Sequence, residues 1–90
     1  MERKKVLTEI EYNILDELYF VTPYGNLKEE SGYDDNQLRL NLIELIKKGF
    51  VKVYRKMDEE IEEDNLDMEN SFDSYLYLAS KKGLFEHNSR

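Results

Sequence analysis

The stretch Tyr33 to Lys56, YDDNQLRLNLIELIKKGFVKVYRK, constrains the fold more than any other part of the chain. Asp34 stands where a helix N-cap belongs, and Gln37 follows three residues on, a D-x-x-Q variant of the capping box. Tyr33 and Leu38 occupy the hydrophobic-staple positions around that cap. Leu38, Leu42, Leu45 and Ile46 recur at helical spacing with Ile43 at the edge, so one stripe faces a core. Lys47 and Lys48 fall in the last turn, where cations suit the negative end of the helix dipole. Gly49 is the residue expected just past the helix end. From Phe50 to Lys56 the pattern changes to alternation, with Val51 and Val53 on one side and Lys52 and Tyr54 on the other, which is a half-buried strand.

Two helical segments precede this unit. Thr8 and Glu11 form a T-x-x-E capping box with Leu7 and Tyr12 at staple positions, and Ile10, Ile14, Leu15 and Leu18 follow at helical spacing. Pro23 disfavours helix at Thr22, and Gly25 permits a turn. A second, short helix is expected over Asn26 to Ser31, capped by Asn26, anchored by Leu27 and closed by Gly32.

After the strand the chain becomes acidic. Met57 to Ser80 holds nine acids and no Lys or Arg, so the rest of the chain carries a small positive charge against a total of −7. Phe72 to Leu78 is the expected partner strand, with Phe72, Leu76 and Leu78 on one side and Tyr75 and Tyr77 on the other. The fifteen residues from Met57 to Ser71 would form a connecting wing, longer than most hairpin loops and expected to be a solvated, disordered segment, although Ile61, Leu66, Met68 and Phe72 interrupt the acids as candidate anchors. Ser80 to Gly83 punctuates the chain, and Leu84 to His87 is expected to begin a short terminal helix.

Ninety residues permit one domain, 1–90, with the acidic wing at 57–71. With no cysteine there is no disulfide framework and no thiolate zinc site. The N-terminus lacks the apolar run of a signal peptide, and no stretch approaches the roughly 20 apolar residues of a membrane span. The expectation is a cytoplasmic protein without membrane contact. No Gly-rich phosphate loop, nucleophile elbow or paired carboxylates in an apolar cleft stand out, so an enzyme is not expected. No cofactor or metal is expected either: the acidic segment lacks the Gly that a calcium loop needs at its turn.

The layout predicts an α+β fold, a winged helix-turn-helix of three helices, a two-stranded β-hairpin wing and a short C-terminal helix. LIELIKKGFVKV (Leu42–Val53) resembles the recognition-helix-to-strand junction of MarR- and PadR-type winged-helix regulators. YLYLASKKG (Tyr75–Gly83) is similar to the strand after their wing, and LTEIEYNILDEL (Leu7–Leu18) to their first DNA-binding-domain helix. The resemblance implies transcription regulation, with the third helix (35–48) reading duplex DNA. Asn36, Gln37, Arg39, Leu40 and Asn41 would then face base edges. Arg3, Lys4, Lys5, Lys47, Lys48 and Lys52 would meet phosphates.

Asp34, Asp35 and the acidic wing depart from that pattern and support a second reading, a winged helix that contacts a protein partner. Its candidate residues are Asp58, Glu59, Glu60, Glu62 and Glu63, with Tyr75 and Tyr77 as an outward aromatic patch suited to a partner or to a homodimer. His87, the single histidine, has no Cys or His nearby in sequence and is expected to be inert.

Overall fold

The computed structural model describes residues 7–89, a mixed α+β fold of four helices and a four-stranded antiparallel sheet. The elements run α1 (Glu9–Asp16), β1 (Thr22–Pro23), α2 (Tyr24–Ser31), α3 (Asp35–Lys47), β2 (Val51–Lys56), β3 (Glu59–Ile61), β4 (Leu76–Ala79) and α4 (Lys81–Asn88), with 3-10 turns at Glu63–Asn65 and Phe72–Ser74. The sheet order is β1-β4-β2-β3.

Both capping boxes form. The Thr8 hydroxyl accepts from the Glu11 N–H at 3.1 Å while Glu11 Oε1 accepts from the Thr8 N–H at 2.9 Å. At α3, Asp34 Oδ1 accepts from the Gln37 N–H at 2.8 Å and Gln37 Oε1 from the Asp34 N–H at 3.3 Å. Helix α2 starts earlier than Asn26: Pro23, with its ring holding φ at −62°, sits at the N-cap and Tyr24 opens the helix. Gly49, at φ 79°, ends α3. Its N–H reaches the Ile46 carbonyl at 3.0 Å and the Phe50 N–H reaches the Leu45 carbonyl at 2.9 Å, so helix carbonyls are satisfied as the chain turns into β2.

Leu38, Leu42, Leu45 and Ile46 of α3 join Ile14, Leu15 and Leu18 near α1, Leu27 of α2, and Val51 and Val53 of β2 in one core. The strand across from β2 corrects the expected faces. Strand β4 covers Leu76–Ala79, not Phe72 to Leu78, and pairs Val51 with Ala79 and Val53 with Tyr77. Tyr75, Tyr77 and Ala79 therefore point inward, and Leu76 and Leu78 are half-buried on the other face. Both faces of YLYLA are apolar enough to bury, so alternation alone does not choose between them. Hydrogen bonding decides: the Tyr77 hydroxyl donates to the Phe72 carbonyl at 2.6 Å, and the Tyr75 hydroxyl accepts from the Asp67 N–H at 2.9 Å. Each ring can thus be buried without orphaning its polar tip.

The expected loop from Met57 to Ser71 is also corrected. Met57-Asp58 makes a tight turn, and Glu59–Ile61 returns as β3 along the far edge of β2 with an irregularity between Tyr54 and Lys56. Ile61 is buried, and Leu66, Met68 and Phe72 pack on the core. These four apolar residues fix the acidic segment to the domain, overcoming the preference of its composition for solvent.

Helix α4 docks through a close approach. The Ser80 hydroxyl accepts from the Gly83 N–H at 3.0 Å and donates to the Gly49 carbonyl at 2.6 Å. A Cβ on Gly83 would collide with the Phe50 carbonyl oxygen. Gly83→Ala should destabilise the fold by roughly 1–3 kcal/mol in urea or thermal unfolding. Gly25→Ala, in α2 with open space around the added methyl, should be neutral or stabilising by up to about 1 kcal/mol. Equal effects at the two sites would contradict this packing.

Candidate interaction faces

Helix α3 turns its core stripe inward and leaves Asn36, Gln37 and Leu40 exposed, with Arg39 and Asn41 half-buried. Several of these side chains are already engaged. Gln37 Oε1 completes the cap, Asn41 Nδ2 donates to the Gln37 carbonyl at 2.7 Å, and Arg39 approaches Asn36 Oδ1 at 3.4 Å. Leu40, 49% exposed, stands out as an uncovered apolar side chain on this face.

The acids at the start of α3 have structural work. Asp34 caps the helix. Asp35 accepts from the Tyr24 hydroxyl at 2.6 Å and pairs with Lys28 at 3.0 Å, clamping α2 to α3. The Tyr24 hydroxyl, then the Lys28 ammonium, hold its carboxyl below the usual carboxylate range.

The phosphate candidates do not assemble as expected. Lys48 bonds both Glu11 carboxylate oxygens, at 2.9 and 3.0 Å, and the Glu11 side chain is only 3% exposed. Lys48 therefore serves the fold, neutralising a buried carboxylate on α1. The two residues lie far apart in sequence, so no local pattern pairs them. Arg3, Lys4 and Lys5 lie outside the described residues. Lys47 and Lys52 remain exposed.

Opposite in character is the segment from Asp58 to Asp73. All nine of its acids are exposed, including Asp58, Glu59, Glu60, Glu62 and Glu63, and Arg55 pairs with Glu59 at 2.8 Å. The Tyr75 and Tyr77 bonds and the buried Ile61 hold this charge in a fixed arrangement. Tyr75 and Tyr77 themselves are 8% and 0% exposed, so they form no outward aromatic patch for a partner or a second copy.

His87 is the residue that sequence reading undervalued. It is buried on α4, stacks on Tyr12 at 4.2 Å between ring centroids, and its Nδ1 lies 2.8 Å from the Tyr19 hydroxyl. Its Nε2 is 3.3 Å from Asp16 Oδ1 but off the line of a hydrogen bond. The ring locks α4 against α1. The expected terminal helix supplied the only sequence signal for this contact.

Among the described residues no helix is long and apolar enough to cross a membrane, and no group of three or more His, Cys, Asp or Glu could hold a metal ion. Compared with known proteins, the chain matches no family model, no curated protein and no solved structure.

Two stability outcomes follow from this geometry. Lys48→Met should lower stability by roughly 2–3 kcal/mol, somewhat below the range for fully buried pairs because Lys48 is partly in water, and Glu11→Gln in the same chain should recover most of it. Denaturant titration of the parent chain and the two variants checks this; no recovery in the double variant would contradict it. Burial, with smaller contributions from Tyr75, Tyr24 and Asp73, also raises the Tyr77 hydroxyl above the ordinary phenol value of about 10. A folded-state value above the unfolded one gives stability that is complete below the unfolded value and declines as pH rises beyond it. Unfolding measured against pH should show that alkaline decline, and Tyr77→Phe should make it shallower.

Proposed function

We propose that this chain is a winged helix-turn-helix domain acting as a small, non-enzymatic cytoplasmic protein-interaction module. It takes a basic protein partner on the acidic face that runs from β3 to the second 3-10 turn. Support for the winged-helix reading comes from the element order: α2 and α3 joined across Gly32, then a β-hairpin leaving the end of α3. The short β1 between α1 and α2 pairs with β4 and forms one edge of the sheet.

One observation carries the choice of partner. The nine exposed acids are anchored, through Ile61, Leu66, Met68 and Phe72, to the core. A loose acidic loop would only solvate the chain, whereas an anchored one presents a constant field that favours positively charged surfaces. DNA binding draws its sequence-independent affinity from cations on phosphates. Of the six candidates for that role, Lys48 is committed to Glu11, and the exposed Lys47 and Lys52 share the domain with the acidic face. The resemblance to MarR- and PadR-type regulators therefore extends to layout, with the reader role of α3 as the competing outcome.

The test titrates a duplex-DNA mixture and a random-sequence Lys/Arg-rich peptide mixture against the protein at low and high salt. The peptides should bind at low salt, and binding should be lost when Asp58, Glu59, Glu60, Glu62 and Glu63 are changed to Asn or Gln. Duplex DNA should not bind. Tight DNA binding that falls steeply with salt and weakens in Asn36→Ala and Lys47→Ala would overturn the reading.

A further inference from the structure

The geometry points to a specific seat within the acidic face, a groove that takes one apolar side chain of a basic partner segment lying along the open end of β2. This inference rests on the protein-interaction reading above and names where and how the partner sits.

The groove has a volume of about 230 Å³ and lies between the end of α3, β2 and the chain from Glu60 to Leu66. Ile46, Val51, Val53, Ile61 and Leu66 supply its apolar lining. Glu60, Glu62 and Glu63 stand on its rim against one cation, Lys52. An apolar floor inside a rim with that excess of carboxylates suits a hydrophobic anchor flanked by Lys or Arg.

Strand pairing adds a second feature. β2 pairs with β4 from Val51 to Tyr54, but with β3 only from Val53 to Lys56, because β3 ends at Ile61 opposite Val53. Ser80 N–H donates to the Phe50 carbonyl, so that carbonyl and, two residues on, the backbone groups of Lys52 face β4. By the alternation of an antiparallel ladder, those of Val51 face the opposite edge, past the last residue of β3 and beside the groove. An extended segment placed there can meet Val51 through its main chain, drop one side chain into the groove and set its cations against the glutamates. This is strand addition at a sheet edge, in which the main chain gives affinity and the pocket gives selectivity.

The test uses two defined ten-residue peptides, Lys/Arg-rich and identical except for one central Leu or Ser, titrated into isotope-labelled protein by NMR. The Leu peptide should bind about tenfold more tightly than the Ser peptide, as expected for partial burial of one aliphatic side chain. Its shift changes should centre on Val51 to Val53 and Ile61 to Leu66. A triple variant with Glu60, Glu62 and Glu63 changed to Gln, its fold checked by its own spectrum, should lose binding of both peptides. Equal affinities with shifts spread from Asp58 to Asp73 would overturn the groove and leave the acidic-face reading standing. No binding of either peptide at low salt would overturn both.

Discussion

The left-handed turn at Gly49 is the joint on which the other contacts depend. It ends α3 and starts β2, and only in that conformation do the Gly49 and Phe50 carbonyls face the start of α4. Ser80 then bonds both, and Gly83 packs flat against Phe50. Once α4 is seated there, His87 reaches Tyr12, Tyr19 and Asp16 and ties the C-terminal helix to α1. Lys48, one residue before the glycine, is directed at Glu11 on the same helix α1. The turn thus orients the Ser80 and Gly83 contacts and, through α4, the His87 contact, while the last turn of α3 itself directs Lys48.

Much of this was legible in the sequence because it is local chemistry. The two capping boxes, the Gly32 and Gly49 stops, the α3 stripe and the inward Val51 and Val53 are set by residues within a turn or two of each other. What was not legible depends on distant partners. Tyr75 and Tyr77 face inward because Asp67 and Phe72 supply backbone groups for their hydroxyls, and a pattern of alternating apolar residues contains no such information. Composition alone made the acidic segment look like solvent-loving loop. Four apolar residues spaced among the acids outweigh that tendency by binding it to the core.

The same distinction separates the candidate residues. Lys48 looked like a free cation at a helix end, yet a buried carboxylate on another helix claims it, as the desolvation of Glu11 requires. Asp34 is the α3 cap that its sequence position announced, whereas Asp35, which looked only like an obstacle to phosphates, clamps α3 to α2. Exposed acids outnumber exposed cations among the described residues, and their densest run is the segment from Asp58 to Asp73. That distribution is why the proposed partner is a basic protein segment rather than DNA.

The acidic face as proposed requires its segment to be anchored, since an anchored face binds without first losing the entropy of ordering a loose chain. Amide hydrogen exchange across Asp58 to Tyr77 tests it most directly. Protection is expected at the Asp67 N–H, which donates to the Tyr75 hydroxyl, and it should fall in Tyr75→Phe while α3 stays protected. Exchange of the whole segment from Asp58 to Ser74 at free-peptide rates would contradict the account.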